Sequence, residues 1–161
     1  MRRKDKEITE QLIIDTIINR ALICHLACTT NDQPYVVPIS FGYDGGCIYF
    51  HSSPAGKKIS ILKENPRVCL TFETDIEIVK DPEFACNWTI HYQSVIAEGN
   101  AEELTQQSEK ALAMNQIMEY YSGKTWSFPE NELKKTSIWS IRLESVSAKK
   151  SPGDKSASDQ T

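Results

Sequence analysis

Apolar positions along the chain change period several times, and each change marks an element. Ile13, Ile14, Ile17, Ile18 and Ala21 recur at the spacing of one helix face, which predicts an amphipathic helix over residues 9–21. Short runs rich in aliphatic and aromatic residues follow at 24–30, 35–43 and 47–51, divided by Asn31-Asp32-Gln33-Pro34 and by Asp44-Gly45-Gly46. Turn residues between β-prone runs predict an antiparallel meander. Pro38 lies inside the second run, which puts that strand at an edge or a bulge. Ser53-Pro54 predicts a helix start, with Ser53 as N-cap and Pro54 at the first helical position, and Asn65-Pro66 closes that helix. Two long strands, 67–79 and 88–101, flank a polar loop. A second amphipathic helix over 105–121, capped by Thr105 or Ser108, precedes a last strand over 137–147, where Ile138, Ser140 and Arg142 alternate with Trp139, Ile141 and Leu143.

This order predicts a mainly β domain with flanking helices. Six or so antiparallel strands favour closure into a barrel, which removes exposed edges. The domain is expected to span residues 1–148, and the polar segment 149–161 is expected to be disordered. At 161 residues the chain suits one domain that buries about two-thirds of its surface.

Charge removes several function classes. Lys and Arg number 18 against 22 Asp and Glu, a net charge of -4, which argues against a broad nucleic-acid surface. No apolar run reaches the roughly 20 residues needed to span a bilayer, and Met1 to Glu10 lacks the apolar stretch of a signal peptide. A cytoplasmic protein is expected, with its five cysteines as small buried hydrophobes rather than disulfides. Cys24 and Cys28 lie four apart on a predicted strand, about 13 Å at 3.3 Å per residue, too far to share a metal ion. No metal site is expected.

The segment Tyr49-Phe50-His51-Ser52-Ser53-Pro54-Ala55-Gly56-Lys57-Lys58 carries the most chemistry. A strand ends, two hydroxyls follow, and a helix opens with a glycine and two lysines. Helix N-termini present unpaired N–H groups and the positive end of the dipole. Cations placed there oppose the dipole unless an anion lies between, so Ser52, Ser53, Lys57 and Lys58 predict a phosphate site. A capped surface helix with solvated lysines is the plain alternative. Tyr92-Gln93-Ser94 carries polar groups on both faces of a strand, either for a ligand or for solvent.

Five stretches in order, Tyr35 to Phe41, Ile48 to Ser52, Gly56-Lys57-Lys58, Asn65 to Val68 and Tyr92 to Gly99, resemble the flavin-binding split-barrel superfamily of the pyridoxamine 5'-phosphate oxidases. The nearest branch is that of the 5-nitroimidazole-resistance (Nim) proteins, whose members also begin much like Met1-Arg2-Arg3-Lys4. The resemblance implies a six-stranded antiparallel split β-barrel forming a homodimer, with FMN in two sites at the subunit interface. Lys57 and Lys58 match the basic pair for the flavin phosphate, with Ser52 and Ser53 beside them. Val37, Pro38, Ile39 and Ser40 match the strand bordering the isoalloxazine, Gln93 and Ser94 a polar pair on a later strand, and Trp139 a lid or dimer contact. An open site beyond the phosphate would also admit FAD.

The function implied is that of an FMN-dependent oxidoreductase. It would take electrons from a reduced nicotinamide or another donor and pass them to a small planar acceptor such as a nitroimidazole. His51 and Tyr92 are candidate proton donors. The alternatives are a non-catalytic flavin- or haem-binding protein on the same barrel, and an interaction module without cofactor. Two departures matter. Arg142-Leu143 is followed by Glu144-Ser145-Val146 instead of the Ala-Pro ending of a vitamin B6 oxidase, which argues against that activity, and Lys57 stands where resistance members often carry histidine.

Overall fold

Turn chemistry and strand alternation account for most of the sheet. In the computed structural model, which describes residues 4–151, β1 (Glu7–Ile8) and α1 (Gln11–Arg20) precede the hairpin of β2 (Cys24–Thr30) and β3 (Gln33–Ile39). Asn31 and Asp32 close that hairpin at φ 48° and 59°, the two-residue turn whose twist matches its strands. Then come β4 (Gly42–Tyr43), β5 (Cys47–Ser52), α2 (Lys57–Glu64), β6 (Arg67–Val79), β7 (Thr89–Glu103), α3 (Gln107–Ser122), α4 (Glu130–Lys135) and β8 (Ser137–Ser151).

The sheet has eight strands rather than six and is not closed. Its order is β3-β2-β6-β7-β8-β5-β4, with β1 paired to β8. Of the additional strands, β1 is two residues, too short for any periodicity to reveal, and β4 is the end of the expected 35–43 run, cut off from β3 at Ser40-Phe41. The two ends of the order, β3 and β4, are joined only by Ser40 and Phe41. Ile39 and Gly42 are therefore at most about 11 Å apart, which forces the sheet to curl back on itself although no ladder joins these edges. Pro34 and Pro38 lie on β3, an edge strand as expected.

Inside the curl, Leu26, Phe41, Ile48, Phe50, Leu70, Phe72, Val95 and Ile141 are fully buried. Ile14, Ile17 and Ile18 of α1 pack against this core, while Ile13 is left half-exposed. A smaller cluster of Ala113, Leu133 and Ile138 seats α3 and α4 on the outer face of β8. Cys24 and Cys28 are buried as expected, whereas Cys86 is exposed and Cys47 and Cys69 are partly so.

Local expectations fail where one residue overrides a signal. The helix after Ser53-Pro54 starts only at Lys57, because Gly56 at φ 132° cannot belong to a right-handed helix. The cap of α3 is Gln106, without a side-chain bond, rather than Thr105 or Ser108. The final strand runs four residues past its expected end at 147, since Ala148, Lys149, Lys150 and Ser151 pair with Val95, Ser94, Gln93 and Tyr92. Met1-Arg2-Arg3 and the remaining tail, 152–161, lie outside the described residues. Among the described residues no helix is long and apolar enough to cross a membrane.

Gly42 sits where α3 crosses β4. A Cβ there would stand 2.5 Å from the backbone carbon of Gln116. Gly42→Ala is expected to cost about 1–3 kcal/mol, read as a lower midpoint in urea denaturation; an unchanged midpoint would show that α3 does not seat on β4.

Candidate functional site

The free edge of β3, the end of β5 and the start of α2 enclose a cavity of about 340 Å³. It is lined by Tyr35, Val37, Pro38, Ser52, Gly56, Lys57 and Lys58 among others. Alternation on β3 sends Tyr35, Val37 and Ile39 to one face; Ile39 is buried in the core and the other two reach the cavity. Gly56 makes no side-chain cap, so the first N–H groups of α2 keep their free hydrogen-bonding capacity.

Both lysines stand on aromatic rings instead of carboxylates. Lys57 Nζ is 4.8 Å from the centroid of Tyr35, and Lys58 Nζ is 5.0 Å from that of Phe50. Among the described residues no acidic group lies within ion-pair distance of either, and the first turn of α2 contains no acid. Partial burial holds the Lys58 ammonium below the usual lysine range. The nearby Cys28 thiol is raised by burial, which outweighs the two lysines acting to lower it. His51, the residue after Phe50, is depressed first by desolvation and then by Lys58. Two cations at the positive end of a dipole, with a hydroxyl and free N–H groups, form a candidate anion site. These donors fit the phosphate of a flavin mononucleotide.

Of the residues expected to hold a flavin, Val37, Pro38, Ser52, Lys57 and Lys58 line this one cavity, with His51 next to Ser52 on β5. Other predicted residues lie elsewhere. Ser40 is exposed on the β3–β4 link, and Ser53 is exposed beyond β5 without lining the cavity. Trp139 is 2% exposed and stacked on Phe50, so it is a core residue and not a lid. Tyr92 carries the Lys149 ammonium over its ring at 5.3 Å. Gln93 donates from Nε2 to Asp75 at 3.0 Å. Ser94 is buried, and its Oγ has no partner among the described residues. Both residues lie on β7, with two strands between it and β3 and one between it and β5, and neither lines the cavity. Tyr35 and Phe50 were missed as site residues; Tyr35 could have been found from its shared face with Val37.

The family model for pyridoxamine 5'-phosphate oxidase matches residues 10–150. The chain belongs to this family. A candidate 5-nitroimidazole antibiotic resistance protein from Bacteroides thetaiotaomicron has a similar structure, with 29% identity, a TM-score of 0.80, and coverage of 89% of this chain and 85% of that one. A FAD-binding protein from Mesorhizobium loti superposes with a TM-score of 0.66 at 25% identity, covering 90% and 96%. An uncharacterized protein of Rhizobium meliloti is 37% identical over 82 residues, which is 51% of this chain and 46% of that relative. The match to the pyridoxamine 5'-phosphate oxidase family thus spans nearly all the described residues, including every element that builds the cavity.

Depression by a neighbouring ammonium is reversible by removing or neutralising it. In an NMR titration His51 should change charge below the ordinary 6.5. Its midpoint should rise in Lys58→Met and also on adding inorganic phosphate; a midpoint unmoved by both would place Lys58 away from the imidazole.

Proposed function

We propose that this protein is an FMN-dependent oxidoreductase that reduces a small planar acceptor such as a nitroimidazole. The observation that carries the reading is the pair of carboxylate-free ammonium groups at the start of α2, facing the open edge of β3. Family membership and the likeness to a candidate nitroimidazole-resistance protein support it. When bound, the flavin supplies hydride acceptance and delivery at its N5. Lys57, Lys58, Ser52 and the α2 N–H groups would hold its phosphate, and the wall formed by Val37 and Pro38 would border its ring system. His51 is neutral near pH 7 in the free protein and gains basicity when a phosphate dianion offsets Lys58.

Gln93 and Ser94 do not line the same cavity within one chain, which suits a homodimer whose second subunit brings them to the flavin. Val36, Ile76, Ile78, Trp88, Ile90 and Ile96 are large apolar side chains left exposed, the kind of surface a subunit interface covers.

The purified protein is expected to be yellow or to bind added FMN, and the extracted flavin should chromatograph as FMN. Colourless protein with no affinity for FMN would refute the reading, and FAD alone would refute the choice of flavin. Lys57→Ala with Lys58→Ala should weaken FMN binding by a few kcal/mol, at about 1.5–3 kcal/mol for each charge-assisted bond. Turnover of a nitroimidazole with a reduced nicotinamide, absent in that double variant, separates an enzyme from a flavin carrier. Sedimentation should give the mass of a dimer.

A further inference from the structure

We propose that Trp139 is a positioning residue for the lysine site: it holds the Phe50 ring on which the Lys58 ammonium stands and, through Ser137 and Glu103, ties down the far end of the same helix. This rests on the reading of Lys57 and Lys58 as the phosphate-binding pair.

The register sets the arrangement. Trp139 of β8 is paired with Phe50 of β5 on one side and with Glu103 of β7 on the other, so the three form one row across three strands. The Trp139 and Phe50 rings lie 10° from parallel with centroids 6.3 Å apart, within the range of an offset stack. Phe50 is fully buried, and Lys58 Nζ stands 5.0 Å from its centroid. The place of the ammonium is therefore set by a ring that itself leans on the indole.

A second path leaves the other edge of the indole. Its Nε1 donates to Ser137 Oγ at 2.7 Å. An indole nitrogen is a donor only, so the hydroxyl accepts there and spends its single proton on Glu103 Oε1 at 2.6 Å. The other oxygen of Glu103 meets Lys63 Nζ at 3.4 Å. Lys58 and Lys63 belong to the same helix, and five residues rise about 7.5 Å. The row from β5 to β7 spans two strand spacings, about 9.6 Å. Trp139 is thus linked, through Phe50 on one side and through Ser137 and Glu103 on the other, to a lysine near each end of α2. A leucine at 139 would fill much of the space, but it offers neither a flat ring nor an N–H. Lys57 rests on Tyr35 instead, outside this row, and serves as an internal control.

The test reads the His51 titration in ligand-free protein by NMR and FMN affinity separately. Trp139→Leu is expected to raise the His51 midpoint as Lys58→Met does and to weaken FMN binding about fivefold. The double variant should go no further than Lys58→Met alone. Trp139→Phe, which keeps the stacked ring but loses the N–H, should leave the His51 midpoint close to wild type and weaken FMN binding less than Trp139→Leu does. If Lys58→Met raises the midpoint while Trp139→Leu leaves it unchanged, or if the two effects simply add, the positioning role is overturned whatever FMN does. If wild type binds no FMN, the flavin reading fails while the His51 readout still decides the link. Should Trp139→Leu not fold, Trp139→Met, which also removes the flat ring, takes its place: a raised midpoint supports the role and an unchanged one overturns it.

Discussion

Ser40 and Phe41 join the two ends of the strand order, so the whole curl of the sheet depends on what holds that short link. Helix α3 holds it with two adjacent tyrosines. Tyr121 Oη accepts from the Phe41 N–H at 3.2 Å and donates to the Leu22 carbonyl at 2.9 Å. Tyr120 packs on Phe41 at 4.9 Å and donates to the Ala21 carbonyl. The link between the sheet's edges is thereby fastened to the loop between α1 and β2. Burial pushes the Tyr120 phenol up to about 12, so this donor stays protonated across the physiological range. Because β3 leaves from that fastened point, the placement of Tyr35 and Val37 opposite α2 follows from the tyrosine pair.

The cavity at that edge concentrates a charge that the whole molecule hides. With a net charge of -4 the protein has no general attraction for anions, yet two ammonium groups stand at the wrong end of a helix dipole. Aromatic faces offset part of that conflict, each contact contributing about 0.5–2 kcal/mol. A ring stabilises a cation without neutralising it, so the field remains available to a ligand. A carboxylate in the same place would have cancelled it.

Legibility in the sequence followed the range of the interaction. Strands β2, β5 and β6 lie close to where alternation put them, because alternation is a local record of which face is buried. The candidate anion site was legible for a similar reason: Ser52, Gly56, Lys57 and Lys58 are close in sequence, and the clash of lysines with the helix dipole is visible without coordinates. Most of the failures were non-local. The resemblance gave Trp139 as a lid or dimer contact, and nothing near it in sequence says that Phe50 lies across from it. The start of α2 was misjudged because Ser53-Pro54 is a real helix signal defeated three residues later by the backbone of Gly56. The seating of α3 on β4 depended on Gly42 fitting beneath Gln116, a close approach between residues far apart in the chain.

The prolines of β3 carry a last implication. Residues 34, 36 and 38 direct their backbone groups to the same side of the strand, and proline is tolerated in a sheet where the missing N–H would face away from a partner. Along the outward side of this edge Val36 is then left as the sole donor among those three, between two prolines. Another chain seeking to extend the sheet would find acceptors and almost nothing to bond its carbonyls. The margin beside the cavity can thus stay bare without inviting aggregation, and a flat molecule can approach a backbone that a foreign strand cannot zip onto.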